Sequence, residues 1–200
     1  PVSAGFMQEV KSLCEEHGLV LMLDEVQCGI GRTGKLFAHM HSGVEPDVMA
    51  LAKGLGGGFP VGACLTTEAV GKAMVVGTHG STFGGNPLAM AVSNAVMDLL
   101  LEPGQLNEVE RKADYFRKHL QRLVEHFPEV VLSVHGLGLM VGLKCKVPNT
   151  DMLNKLREKK LVVGTSGSNM IRLLPPLNVS DEHLTNAVGI IEEALQEFHD

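Results

Sequence analysis

The 200-residue sequence lacks several features, and each absence removes a class of function. Basic residues are in deficit, with 17 Lys and Arg against 23 Asp and Glu and a net charge of −6. No basic stripe runs along the chain, so nucleic acid is not an expected partner. The four cysteines, Cys14, Cys28, Cys64 and Cys145, form no C-x-x-C pair and show no metal-ligand spacing. They read as reduced thiols of a cytoplasmic protein. No apolar run approaches the roughly 20 residues that a membrane span needs, so no membrane role is expected. No signal peptide is visible, and Pro1-Val2-Ser3 in place of a starting methionine reads as the interior of a longer polypeptide. What remains is 44% hydrophobic, ample for the core of one large or two small domains.

The stretch from Leu19 to Lys53 organises the rest. Leu19-Val20-Leu21-Met22-Leu23, bounded by Gly18 and the acidic pair Asp24-Glu25, has the form of a strand buried on both faces. A second strand, Asp47 to Ala52, ends in Lys53, and Gly54-Leu55-Gly56-Gly57-Gly58 follows it. The intervening chain is long enough for a crossover between parallel strands. Open α/β sheets bring the carboxyl ends of such strands to one edge, where ligands sit. An acid and an amine facing one crevice is then one reading; a buried Asp–Lys ion pair, or two solvated strand ends, is the other.

The turn Gly29-Ile30-Gly31-Arg32-Thr33-Gly34-Lys35 matches both G-x-G-x-x-G and G-x-x-x-x-G-K. Leu36 stands where a magnesium-binding hydroxyl would be needed, and His39-Met40-His41-Ser42-Gly43 continues no helix. A structural glycine loop is therefore expected over a nucleotide site. Helical spacing of Phe6, Val10, Leu13 and Cys14 predicts a helix over 4–17, stopped by Gly18. A strand is expected over 59–66 and a short helix to about Val75. Asn86 and Pro87 announce another helix reaching Leu101. The loop Gly80-Ser81-Thr82-Phe83-Gly84-Gly85 before it is either a plain turn or an anion cup at a helix start. Beyond Glu102-Pro103-Gly104 the texture changes. Leu106, Val109, Ala113, Phe116, Leu120, Leu123 and Phe127 form the stripe of a long helix, ended by Pro128. Strands near 130–134 and 139–145, turned by Gly136-Leu137-Gly138, a helix near 151–160, strands near 161–163 and 169–174 and a last helix from Ser180 complete a small α/β unit. A domain boundary is placed near residue 103.

A lysine amine, a carboxylate and a phosphate cup together are what pyridoxal 5'-phosphate requires. At this point the sequence resembles the class III (subgroup II) aminotransferases of fold type I. Three stretches carry the resemblance: Leu23 to Gly34 (LDEVQCGIGRTG), Ala52 to Ala63 (AKGLGGGFPVGA) and His79 to Ala89 (HGSTFGGNPLA). Within that family, His79-Gly80-Ser81-Thr82 and Ile171-Arg172-Leu173-Leu174-Pro175-Pro176-Leu177 are most similar to the branch that acts on N-acetylornithine in arginine biosynthesis. The resemblance implies an α/β fold type I transferase. Residues 1–103 would be part of its large cofactor domain and 104–200 its small C-terminal domain.

It also implies roles. Lys53 would form the internal aldimine and move the substrate proton. Asp24 would pair with the pyridinium nitrogen, Val26 pack on the ring and Gln27 hydrogen-bond its phenolic oxygen. Thr82, with Ser81, would bind the cofactor phosphate across a homodimer interface. Arg172 would clamp a substrate carboxylate with its two-pronged guanidinium; read from the residues alone, it is an ordinary strand arginine. His39, His41 and His79 stand without a metal in this chemistry. The family's N-terminal portion has no counterpart here. It carries a further phosphate loop, a ring-stacking aromatic, a second arginine and a gating glutamate, so the chain is expected to be a fragment whose central sheet lacks strands and exposes an apolar edge. The implied reaction passes the amino group of N-acetylornithine to 2-oxoglutarate by ping-pong kinetics, giving N-acetylglutamate 5-semialdehyde and glutamate. Alternatives are transamination of ornithine, 4-aminobutyrate or succinyldiaminopimelate, a truncated non-catalytic homologue, and a nucleotide-binding switch.

Overall fold

The structure, a computed structural model, describes residues 1–199. The chain divides into two compact units, Val2–Leu106 and the residues from Asn107 onward.

In the first unit, α1 (Ala4–Glu16) begins where the Ser3 hydroxyl accepts a hydrogen bond from the Phe6 N–H at 3.2 Å. Strand β1 (Met22–Asp24) pairs in parallel with β2 (Val48–Leu51), and β3 (Ala63–Thr66) pairs with β2 antiparallel. The order β1-β2-β3 leaves β1 at an edge. This differs from the expected long strand buried on both faces. Only three residues of the run pair, and Leu19, Val20 and Met22 are 59%, 51% and 67% exposed. Among the described residues β1 has one strand neighbour, so its apolar outer edge is open, as expected of a sheet that lacks strands. The core of this unit is Ile30, Met49, Leu51 and Leu55, packed by Phe37, Val61, Val96, Met97 and Leu100.

After the short helix α2 (Glu68–Gly71), helix α3 (Pro87–Leu101) starts as expected. Asn86 Oδ1 accepts from the Ala89 N–H at 2.9 Å and Pro87 occupies the first turn. Its face Ala89, Ser93, Val96, Met97 and Leu100 turns inward. Ser93 is 8% exposed, and its hydroxyl has no hydrogen-bond partner among the described residues.

The second unit is built on α4 (Gln105–His126), whose Val109, Ala113, Phe116, Leu120 and Leu123 are all buried at helical spacing. Each large side chain so buried contributes about 1.5–3 kcal/mol. The stripe covers one face of an antiparallel sheet made of β4 (Val131–Leu137), β5 (Met140–Cys145), β7 (Met170–Leu173) and β6 (Gly164–Ser166), in that order. Helices α5 (Asn149–Glu158) and α6 (Asp181–His199) complete the cover through Met152, Leu156, Leu184, Ile191 and Leu195. Burial alternates along β5 and β7: Val141, Leu143, Cys145, Ile171 and Leu173 face the helices, while Gly142, Lys144, Met170 and Arg172 face away.

In the first unit β3 is shorter than the strand expected over 59–66, and in the second unit two strands are displaced from expectation. β4 runs on to Leu137 because Gly136, at φ +105°, lies against the Met140 carbonyl, with which a Cβ would collide. β6 begins at Gly164, past the apolar Leu161-Val162-Val163, because its register is set by pairing with β7. Among the described residues, no helix is long and apolar enough to cross a membrane.

Lys155 and Lys159 of α5 converge on Glu197 of α6 at 2.8 and 2.7 Å, and Lys159 also meets Glu193 at 3.4 Å. The hydrogen bond from Lys155, then that from Lys159, holds the Glu197 carboxyl down at about 2. Its folded value lies below the ordinary one, so its contribution is complete above the unfolded carboxylate range and lost as pH falls through about 2. A thermal melt series from pH 5 to pH 2 should show a stability loss that Glu197→Gln diminishes and high salt blunts. Ser93→Ala should stabilise the protein by about 1 kcal/mol in urea unfolding, by removing an unpartnered buried hydroxyl and improving helix propensity.

Candidate active site

Asp24 closes β1 and lies opposite Ala50 in the parallel register. β2 ends at Leu51, and Lys53 follows two residues later at the head of a single helical turn, Lys53–Gly56. Neighbouring strands lie about 4.8 Å apart. Asp24 and Lys53 therefore leave the same edge of the sheet, one strand apart, and both side chains are exposed.

Local geometry explains why each sits where it does. Asp24 Oδ1 accepts from the Val26 N–H at 2.9 Å, closing a small turn that aims the carboxylate and carries Val26 and Gln27, both half-buried, just past the strand end. Lys53 has φ +45°, a left-handed backbone that costs a residue with a side chain about 1–2 kcal/mol. Strained non-glycine residues of this kind concentrate at functional positions. The turn is pressed by α3: a Cβ at Gly57 would lie 2.9 Å from Val96.

Between these two residues lies a feature that sequence reasoning missed. Glu25 is 2% exposed, and its carboxylate accepts from the N–H groups of Ala38 and His39 at 2.6 and 2.7 Å. Its own N–H donates to Ala50 O at 2.9 Å and its carbonyl accepts from Gly29 N at 2.9 Å. A Cβ on Gly29 would stand 2.8 Å from the Glu25 carbonyl oxygen, so that glycine permits the approach. Glu25 thus ties the glycine loop to the end of β1, directly beside Asp24. The only signal in the sequence was a second carboxylate at the end of an apolar run. The loop is structural, as expected: Gly31 N donates to Leu36 O and Gly34 N to Gly31 O, so N–H groups that a phosphate would need are spent within the loop.

Of the histidines nearby, His39 Nδ1 bonds Val44 O at 2.8 Å and His41 Nε2 contacts Thr33 O at 3.1 Å. The four cysteines are free thiols. Burial, then the charge of Glu25, raises the Cys28 thiol, and burial pushes Cys145 up to about 11. Neither is poised as a thiolate nucleophile. Ser81 and Thr82 lie on the exposed loop before α3. The Ser81 hydroxyl accepts from Gly84 N at 3.0 Å, and no hydrogen bond joins this loop to Asp24 or Lys53 among the described residues. Arg172 belongs to the second unit, half-buried on the face of β7 opposite Ile171 and Leu173, with Gly142 and Gly164 as its cross-strand neighbours.

The model of the family "Aminotransferase class-III" matches residues 1–195. The chain belongs to the class-III aminotransferases. The acetylornithine aminotransferase of Mesorhizobium japonicum is 54% identical over 191 residues, which are 96% of this chain and 48% of that relative. Among solved structures, the acetylornithine aminotransferase of Elizabethkingia anophelis superposes with a TM-score of 0.90 at 36% identity, covering 98% of this chain and 50% of the other. The ornithine delta-aminotransferase of Plasmodium falciparum does so with a TM-score of 0.90 at 34% identity, covering 98% and 51%. The chain spans about half the length of the curated relatives it matches.

Class-III aminotransferases depend on pyridoxal phosphate, and the donor set here fits that group. An exposed primary amine stands one strand from a carboxylate held by a single backbone N–H, as an aldehyde and a ring nitrogen require. Val26 offers an apolar surface beside that carboxylate. The Ser81 hydroxyl uses its oxygen as an acceptor and keeps its proton to donate.

Because Glu25 satisfies two buried N–H groups with a charged acceptor, Glu25→Ala should destabilise this class-III chain by about 3 kcal/mol in chemical denaturation. Glu25→Gln should cost less, since an amide oxygen still accepts one of the two bonds.

Proposed function

We propose that the protein containing this chain is a pyridoxal-phosphate-dependent N-acetylornithine aminotransferase of arginine biosynthesis, with 2-oxoglutarate as acceptor. The observation that carries the reading is the shared edge of β1 and β2, where Asp24 and Lys53 emerge one strand apart. Identity to the acetylornithine enzymes supports the substrate. In this reading residues 1–103 are part of the large cofactor domain and 104–200 the small C-terminal domain. Bound at this edge, the cofactor supplies an aldehyde that takes up the amino group and a ring that withdraws electrons from the carbon losing its proton.

The chain's own residues do the rest. Lys53 Nζ would hold the cofactor through its aldehyde and, once displaced by the substrate amine, would carry the proton from the amine-bearing carbon of the substrate to the former aldehyde carbon on the other side of the shared nitrogen. The Asp24 carboxylate keeps the proton on the ring nitrogen, and its Val26 N–H bond fixes the direction of that contact. Val26 packs on the ring face and the Gln27 side chain binds the ring oxygen. Thr82 and Ser81 donate hydroxyls to the phosphate, reaching across a homodimer so that each site is shared. Arg172 receives a carboxylate of the amino acid or oxo acid. Free thiols at all four cysteines suit a reducing compartment, and the cytoplasm is the proposed location.

Ornithine as donor is the second reading, favoured by the likeness to the Plasmodium falciparum ornithine enzyme. The test is a half-reaction screen on the native polypeptide loaded with cofactor. Its visible absorbance should bleach with N-acetylornithine at least about ten-fold more efficiently than with ornithine or 4-aminobutyrate. Lys53→Ala should lower turnover by about three orders of magnitude or more and alter the visible band. Preference for ornithine would replace the substrate assignment, and a native protein that neither takes up cofactor nor turns over would be a non-catalytic homologue.

A further inference from the structure

We infer that Gly164 is a positioning residue for the carboxylate-binding arginine: the space left by its missing side chain is where the Arg172 guanidinium lies. The inference rests on the proposed role of Arg172.

In the second sheet, His135, Gly142, Arg172 and Gly164 form one row across β4, β5, β7 and β6, on the face turned away from the helices. Arg172 is thus flanked on both sides by glycine. The two sides are not equivalent. A Cβ built on Gly142 would stand 3.1 Å from the Met170 sulfur, so the neighbouring β7 side chain fills that side. A Cβ built on Gly164 would stand 3.5 Å from Arg172 Nη2, 3.6 Å from Nε and 4.0 Å from Cζ. The two nitrogens are nearer than the carbon that joins them, so the guanidinium turns its Nε–Nη2 edge toward the bare Cα of Gly164. Met170 closes one direction and Gly164 opens the other, so the pair sets where the fork of donors rests.

The distances also grade the substitutions. A methyl at 3.5 Å is in ordinary van der Waals contact, so alanine leaves the guanidinium in place. A β-branched side chain extends a further bond into the guanidinium's own volume and must displace it. Gly164 lies outside the left-handed region, on an edge strand, where Val and Thr suit the backbone. The sheet should therefore keep its fold while the arginine moves.

The experiment uses the native, cofactor-loaded polypeptide, with steady-state kinetics for 2-oxoglutarate and calorimetric titration of glutarate, an unreactive dicarboxylate. Gly164→Val and Gly164→Thr should each raise KM and the glutarate Kd by about ten-fold or more, with kcat held within about three-fold. Gly164→Ala should stay within about two-fold of the parent on all three. If Arg172→Ala itself changes neither KM nor Kd, the carboxylate role of Arg172 fails and this inference falls with it. If Arg172→Ala raises both while the Val and Thr variants leave them unchanged, Arg172 keeps its role and positioning by Gly164 is overturned. Loss of folding in both β-branched variants, read by thermal melting, would overturn it too, because a displaced guanidinium leaves the sheet intact.

Discussion

The parallel register of β1 with β2 is the constraint on which the site depends. Because Asp24 stands opposite Ala50, the carboxylate and the lysine that follows Leu51 emerge at the same edge. A slip of one residue would turn Asp24 to the other face of the sheet and exchange it with an apolar neighbour. The register is held from outside the pair as well. Asp47 accepts from the Leu21 N–H at 2.8 Å through its Oδ2, and the Glu25 N–H donates to Ala50 O. These bonds bracket the three-residue ladder at its two ends, so a strand too short to fix its own alignment is aligned by its flanks.

On that frame the backbone positions the candidate residues Asp24 and Lys53. Lys53 is placed by a left-handed turn that α3 presses against, and Asp24 by the N–H two residues ahead of it. In the second unit Arg172 lies in register between Gly142 and Gly164 of the adjoining strands. The buried packing lies elsewhere, in the stripe of α4 and the inward faces of β5 and β7. Sheet interiors thus supply rigidity, and their edges and uncovered faces carry the polar groups that a substrate and cofactor would meet.

What the sequence disclosed follows the range of the forces involved. The start of α3 was legible because Asn86 and Pro87 act on the turn that contains them. The stripe of α4 was legible because helical periodicity is local. The extent of β1 was not, since an apolar run does not state how many strands will flank it, and Met22 stays exposed for want of a neighbour. β6 was misplaced for the same reason: Leu161-Val162-Val163 has the composition of a strand, but pairing with β7 selects Gly164–Ser166 and leaves Val162 91% exposed. Asp24 and Lys53 stood out as the charged ends of two apolar runs, and Arg172 through resemblance to a family. Glu25 and Gly164 did not, because the bonds of one and the emptiness of the other arise only when distant segments meet.

The outer edge of β1 has a material consequence for handling the isolated polypeptide. Met22–Asp24 presents backbone donors and acceptors along a margin flanked by bare Leu19 and Val20. Such a margin is a template for another strand, and a second molecule can add to it in solution. At three residues it offers few bonds per encounter, and Asp24 at its end repels its own kind. Clumping of the purified 200-residue chain should therefore be governed by ionic strength, worsening as salt screens that repulsion.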